Sequence, residues 1–283
     1  MASFTNFATL SYNGGTTNSN IVTGEILEAL TAVKTAVSAN YSAGDRITYA
    51  LSLVNTGTAA ITDYTVTDNL GGYTVGANTV YPLAYNAGTV RYYINGVLQT
   101  PPTVTAGPPL TVTGLTVPAG GSAVLIYETT ATPVAPLATG SSITNTATIT
   151  GGGLTTPITA QATVETANSA DLTISKALSP TTVTENGQIT YTFVISNTGN
   201  TEATATGNVV VTDTFAPILR NIAVTYNGTA WTEGTNYTYN AATGVFTTLA
   251  GQITVPAASF TQNTDGTFTV TPGTATLVIT GTV

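Results

Sequence analysis

The 283-residue sequence has no cysteine and no histidine. Without cysteine there are no disulfides and no thiolate chemistry. Without histidine the commonest general base and the commonest zinc ligand are gone. Charge is scarce as well: 6% of residues are Asp, Glu, Lys or Arg, and only five are basic. Those five are scattered, which argues against a nucleic-acid partner. No apolar run is long enough to insert in a membrane as a spanning helix. The first residues lack a basic stretch followed by an apolar one, so no signal peptide is visible and the export route stays open. Serines lack a histidine partner and are read as structural. Asp45, Asp63 and Asp265 near turns lack the dense carboxylate spacing of a calcium loop, so no metal and no cofactor are expected.

What the chain does have is Thr, Ala, Gly, Val and Asn in short alternating runs. The runs "ITYALSLVN" and "ITYTFVISN" place apolar residues at every second position, as half-buried strands do. Asn-Gly pairs at 13–14, 95–96 and 227–228 punctuate the runs as turns. The stretch "EILEALTAVK" (25–34) has loosely helical apolar spacing, but its counterpart "VETANSADLTISK" is strand-like, so it too is read as a strand. The expectation is all-β: two tandem Ig-like β-sandwiches.

The two copies align without gaps over their first strands. Lys34 precedes "ITY" by thirteen residues and the Asn of "NTG" by twenty-one, and Lys176 stands at the same distances from its own copies. "YTVTDNL" and "VVVTDTF" then set Asp68 opposite Asp213. The first copy ends in "SITNTATITGGGLTTPITAQATVE", read as a hairpin. The second reaches "ATLVITGTV", matching "AVLIYETTA", and no closing hairpin follows within the sequence. The unassigned hairpin stands at the other end. In "SFTNFATLSYNGGTT" eight of fifteen positions are identical to "SITNTATITGGGLTT".

The expected organisation is therefore a donor hairpin (1–24), a first sandwich (25–166) and a second sandwich lacking its last strands (167–283). Closure within one chain would require the hairpin to cross the whole first domain. Insertion into a neighbour does not, and that contact is heterologous, head to tail and filament-forming. Phe4, Phe7, Leu10 and Tyr12 are the apolar side chains expected to fill the acceptor groove. The implied partner is a second copy of the chain, and the implied role is a structural subunit of an extracellular filament on a cell or spore surface. The competing reading is a monomeric adhesin or stalk module that binds a glycan or protein through its tyrosines. An enzyme has little support.

The motif "K…GD.ITY…VNTG…VTDNL" followed by "ITNTATI" resembles the bacterial and archaeal surface repeats called domain of unknown function eleven. Lys34, Asp45, Tyr49, Asn55, Gly57, Asp68 and Asn145 carry the resemblance in the first copy. Lys176, Tyr191, Asn197, Gly199 and Asp213 carry it in the second. The resemblance implies an Ig-like module of the cell envelope and no reaction.

The chain contains two lysines, and they are equivalent. Lysine, asparagine and a carboxylic acid are the components of a self-forming isopeptide bond, which needs only burial and proximity. The candidate sets are Lys34, Asp68 and Asn145 within one chain, and Lys176 and Asp213 with Asn6 of a neighbour. The plainer alternative at each site is a buried ion pair beside an asparagine bonded to backbone. Glu128 is a second candidate acid in the first copy, weakened by Thr280 at its place in the second.

Overall fold

The computed structural model describes residues 2–26 and 29–283. It is all-β: among the described residues the one helical segment is the short 3-10 turn Ala205–Gly207. Strands Val22–Ile26 and Leu30–Ala36 occupy most of the stretch with helical spacing. Its Leu27 and Glu28 lie outside the described residues.

The chain divides into two compact units. One runs to Ala135 and includes Ser142–Glu165; the other combines Pro136–Ser141 with Thr166–Val283.

In the first unit, one sheet runs Val97–Leu98, Arg91–Ile94, Ser122–Ala131, Arg46–Asn55, Leu30–Ala36. The facing sheet runs Thr103–Thr105, Leu110–Val117, Ile61–Asp68, Ser142–Gly151, Ile158–Thr166, Asn40–Tyr41. Arg46–Asn55 is central to the first sheet, and its inward residues Ile47, Tyr49, Leu51 and Leu53 are fully buried. The expected closing hairpin is present: Ser142–Gly151 pairs antiparallel with Ile158–Thr166 and, on its other edge, with Ile61–Asp68.

The second unit repeats the first sheet strand for strand: Leu172–Ser179, Gln188–Asn197, Gly273–Thr282, Arg220–Tyr226, Thr229–Trp231. Opposite it stands a smaller sheet, Thr212–Thr214, Val245–Thr248, Tyr237–Asn240. Both contribute to one core, in which Phe193, Phe215, Phe246 and Leu277 meet. Thr212–Thr214 corresponds to the end of Ile61–Asp68. It pairs with Val245–Thr248 on one side, and among the described residues it has no strand on the other. In the first unit that second side is where the closing hairpin pairs.

The repeated "NTG" motif has the same physical reason in both units. Asn55 is buried; its Nδ2 donates to the carbonyls of Ala59 and Pro118, and its Oδ1 accepts from Gly57 N–H. Asn197 makes the same bonds to Thr201, Pro256 and Gly199. The glycine is required because a Cβ at Gly199 would come within 2.2 Å of the Ser169 carbonyl.

Residues 2–26 form a separate hairpin. Ala2–Asn6 pairs with Val22–Ile26, and Thr9–Tyr12 pairs with Gly15–Asn18. Asn13 and Gly14 at its tip both have positive φ, as a two-residue hairpin turn requires. Phe4 is 53% exposed and Leu10 62%, with Phe7, Tyr12, Ile21 and Val22 comparably open.

Replacing Asn55 by alanine should cost the first unit about 1–3 kcal/mol, because a buried side chain's bonds to two carbonyls and one N–H, all part-buried, are lost together. Chemical denaturation of Asn55→Ala and Asn197→Ala measures this. A change under about 0.5 kcal/mol, the range of ordinary surface substitutions, would show that the motif does not hold the turn.

Candidate functional site

The first unit brings together all three residues that the sequence singled out. Lys34 lies on Leu30–Ala36 with its side chain turned into the core, and its Nζ is 2.5 Å from Asp68 Oδ2. Both side chains are at most 1% exposed. Asp68 ends the strand Ile61–Asp68; its Oδ2 also accepts from the Tyr127 hydroxyl, and its Oδ1 accepts from Leu70 N–H at 3.0 Å. Ala147 pairs with Asp68 across the sheet, and Asn145 follows two residues away on the same buried face. The stacked rings of Tyr49 and Tyr127 complete the site, with Lys34 Nζ 4.8 Å from the Tyr49 ring centroid. Glu128, the second candidate acid, is on the surface facing Arg46.

Asn145 is the unusual member. Its side chain is fully buried against the Tyr49 and Tyr127 hydroxyls. Neither its Oδ1 nor its Nδ2, nor the Tyr49 hydroxyl, finds a hydrogen bond of acceptable geometry. A primary amide left this way is costly, and native interiors rarely contain one.

Burial dominates the electrostatics. It pushes the Lys34 amine down from 10.5 to about 8, against the opposing pull of Asp68. Burial, with the Asp68 charge second, raises the Tyr49 and Tyr127 hydroxyls, so both stay protonated at neutral pH. The arrangement holds an amine with weakened proton affinity, a carboxyl group positioned to take its proton, and a carboxamide with free polar atoms.

The second unit contains the same pair in a different setting. Lys176 Nζ contacts Asp213 Oδ2, but the side chains are 40% and 18% exposed. Lys176 lies over the rings of Tyr191, Phe193 and Phe215, at 4.5, 5.4 and 5.5 Å from their centroids. Ile279 pairs with Tyr191 where Tyr127 pairs with Tyr49, so no tyrosine donates to Asp213 as Tyr127 does to Asp68. Ile174 and Leu178, on the same face of the strand as Lys176, are exposed. Asn6 lies on the leading hairpin, exposed. Among the described residues no group of three or more Asp or Glu could hold a metal ion. Among the described residues no helix is long and apolar enough to cross a membrane. Neither the Tyr127 donor nor the stranded Asn145 amide is legible from local sequence.

Three solved structures show what the chain is similar to. BcpA, the major pilin subunit of Bacillus cereus, matches at 14% identity over 96% of this chain and 73% of that one, with a TM-score of 0.35. RrgB, the pilus backbone of Streptococcus pneumoniae, matches at 14% identity over 86% and 55%, with a TM-score of 0.36. The N-terminal domain of a Streptococcus gordonii adhesin matches at 15% identity over 47% and 31%, with a TM-score of 0.35. These are two pilins and an adhesin. The chain thus spans about half of the RrgB structure and a third of the adhesin structure. No protein-family model matches the sequence, and no curated protein does. The likeness to domain of unknown function eleven therefore stays a resemblance of motifs. At these scores the structural matches lend no weight to a functional reading, which has to come from the chain's own geometry.

The pH dependence of stability follows from the Lys34 shift. An amine with a lowered folded pKa binds its proton less well when folded. The unfolded chain therefore holds more protons between pH about 8 and 10.5, and stability rises with pH across that window. The test compares Asn145→Ala, which keeps the amine free of the neighbouring carboxamide, with Asn145→Ala/Lys34→Met. The lysine chain should gain stability relative to the methionine chain from pH 8 to 10.5. A difference that stays flat would show that Lys34 is not desolvated.

Proposed function

We propose that this protein is the structural subunit of an extracellular filament, assembled head to tail. In this reading the leading hairpin of one copy completes the second unit of the next. The observation that carries it is a shared pairing register. Ser3 pairs with Glu25 and Thr5 with Thr23 in the leading hairpin; Ser142 pairs with Glu165 and Thr144 with Thr163 in the closing hairpin. Asn6 opposite Val22 then corresponds to Asn145 opposite Ala162. The first unit's strand buries Ile143, Asn145, Ala147 and Ile149. The leading strand Ala2–Asn6 offers Phe4 and Asn6 at the first two of those places, and Ala8 and Leu10 align with the other two in sequence beyond the strand's end.

Phe4 lies within the shared register, and Phe7, Leu10 and Tyr12 follow it as the further apolar side chains the hairpin would bring to the groove. Gly24 is opposite Phe4, whose ring lies across it in the space a Cβ would take. The hairpin is exposed on its own chain, and the strand Thr212–Thr214 has a free edge of the kind that β-strand addition uses.

Within the first unit the reading includes an isopeptide bond between Lys34 and Asn145. Lys34 gives a proton to Asp68, and the protonated carboxyl polarises the Asn145 carbonyl. The neutral amine attacks Cγ, a C–N bond forms, and the Nδ2 nitrogen leaves as ammonia. Support comes from the buried pair and from the unbonded Asn145 amide, whose –NH2 the reaction removes.

Negative-stain microscopy and intact mass test the two parts separately. The full chain should form filaments, and a chain lacking residues 2–26 should remain monomeric; fibres from the deleted chain would refute donor assembly. The monomer mass should be one ammonia below the sequence mass, and Asn145→Ala should restore its own full sequence mass. A parent chain at full sequence mass would remove the covalent part.

A further inference from the structure

The second unit keeps a lysine and an aspartate in contact, and among the described residues no strand pairs beside that aspartate to bring an asparagine to the place of Asn145. Three features set this pair apart. It is open to water, where an ion pair is charged, screened and unreactive. It rests on an aromatic floor of Tyr191, Phe193 and Phe215, which already removes water from one side of the amine. In the first unit the equivalent pair is buried, and there the closing hairpin pairs with the strand that carries the aspartate.

The register supplies the missing asparagine. Asn6 occupies in the leading hairpin the position that Asn145 occupies in the closing one, three pairs in from a Ser–Glu pair in both. Phe4, two residues before Asn6 on the same strand and so on the same face, is large enough to exclude water from Lys176.

We propose that docking of a neighbour's leading hairpin converts the dormant Lys176–Asp213 ion pair into a reaction centre that joins Lys176 Nζ to Asn6 Cγ, so that the filament is welded one contact at a time. This rests on the head-to-tail reading. Before docking, the pair is charged and nothing electrophilic is near. After docking, the covered site disfavours separated charge and the proton moves from Lys176 to Asp213. The Asp213 carboxyl then polarises the Asn6 side-chain carbonyl. The Lys176 lone pair attacks Cγ, and the C–N bond to the former –NH2 breaks. That nitrogen takes a proton from the attacking amine, by way of Asp213, and departs as ammonia. Asp213 is left holding the proton that Lys176 first gave it, which it loses to ammonia or water as the product leaves, and no oxidant, metal or nucleotide is consumed. Water exposure is thus the switch: the first unit can react on folding, and the second only on assembly.

Full-length filaments boiled in SDS decide the matter. The parent protein should run as a ladder of covalent multimers, and proteolysis with mass spectrometry should find a branched peptide joining Lys176 to Asn6, one ammonia lighter than its two parts. Lys176→Arg retains the positive charge and removes the nucleophile; Asn6→Ala removes the electrophile. Both should still give filaments by microscopy, and both should fall entirely to monomers in SDS. Parent filaments that dissolve completely to monomers would overturn the weld and leave head-to-tail assembly standing. Failure of the parent to form filaments would overturn both. A ladder that survives Lys176→Arg or Asn6→Ala, or a branch at any other residue pair, would also overturn the weld.

Discussion

The cover that one hairpin places over one lysine is the constraint on which the rest of the molecule depends. In the first unit, Ser142–Thr166 pairs with Ile61–Asp68, seals Lys34 and Asp68 from water, and sets Asn145 beside them. Desolvation then lowers the proton affinity of the amine more than the aspartate raises it. The second unit serves as an internal control. It has the same lysine on the same strand and the same aspartate in contact, but no hairpin, and the pair is open. The chemistry available to a lysine and an aspartate is therefore set by what lies above them, not by the pair alone.

Two features that would be liabilities singly become consistent together. An isolated two-stranded hairpin with Phe4, Leu10, Ile21 and Val22 exposed is marginally stable and prone to associate. A free strand edge beside exposed Ile174 and Leu178 invites pairing with any extended chain. Natural sheets usually block such edges with charge, but this chain has little charge to spend there. Under the proposed head-to-tail assembly, each feature would be the other's partner.

Much of the fold was legible because strands alternate. The central strand Arg46–Asn55 and its copy Gln188–Asn197 announce their buried faces in "ITYALSLVN" and "ITYTFVISN", and the Asn-Gly turn at 13–14 lies where turn chemistry requires it. The equivalence of Lys34 with Lys176 and of Asp68 with Asp213 also translated into two matching contacts. Other details needed three dimensions. The sequence identity between the hairpins extends to Thr16 and Thr17, yet these pair back onto Ser11 and Leu10, whereas Thr155 and Thr156 lie outside the closing hairpin's strands. The match is structural at the base of the hairpins and accidental at the tip. The exposure of Lys176, the Tyr127 donor and the stranded Asn145 amide depend on residues far apart in the chain, and no local pattern encodes them. In the middles of the units Arg91–Ile94 and Arg220–Tyr226 repeat each other around an Asn-Gly turn, whereas short strands such as Tyr73–Val75 and Ser259–Gln262 have no such sequence signal.

The positions of the two lysines acquire a mechanical sense if both proposed bonds form. The first sandwich opens with the strand Leu30–Ala36, which carries Lys34, and closes with the hairpin of Ser142–Gly151 and Ile158–Thr166, which carries Asn145. A bond between them would join its first strand to its last hairpin. Thr166 then leads to Leu172–Ser179, which carries Lys176. The last hairpin of that second sandwich would be the neighbour's, which carries Asn6 and leads through Glu25 back to a Leu30 and the next Lys34. Each unit would thus be bypassed by one covalent link close to its first strand. The sandwiches between the links would need to resist only water and proteases, a task for which a core without disulfides and a surface with little charge suffice.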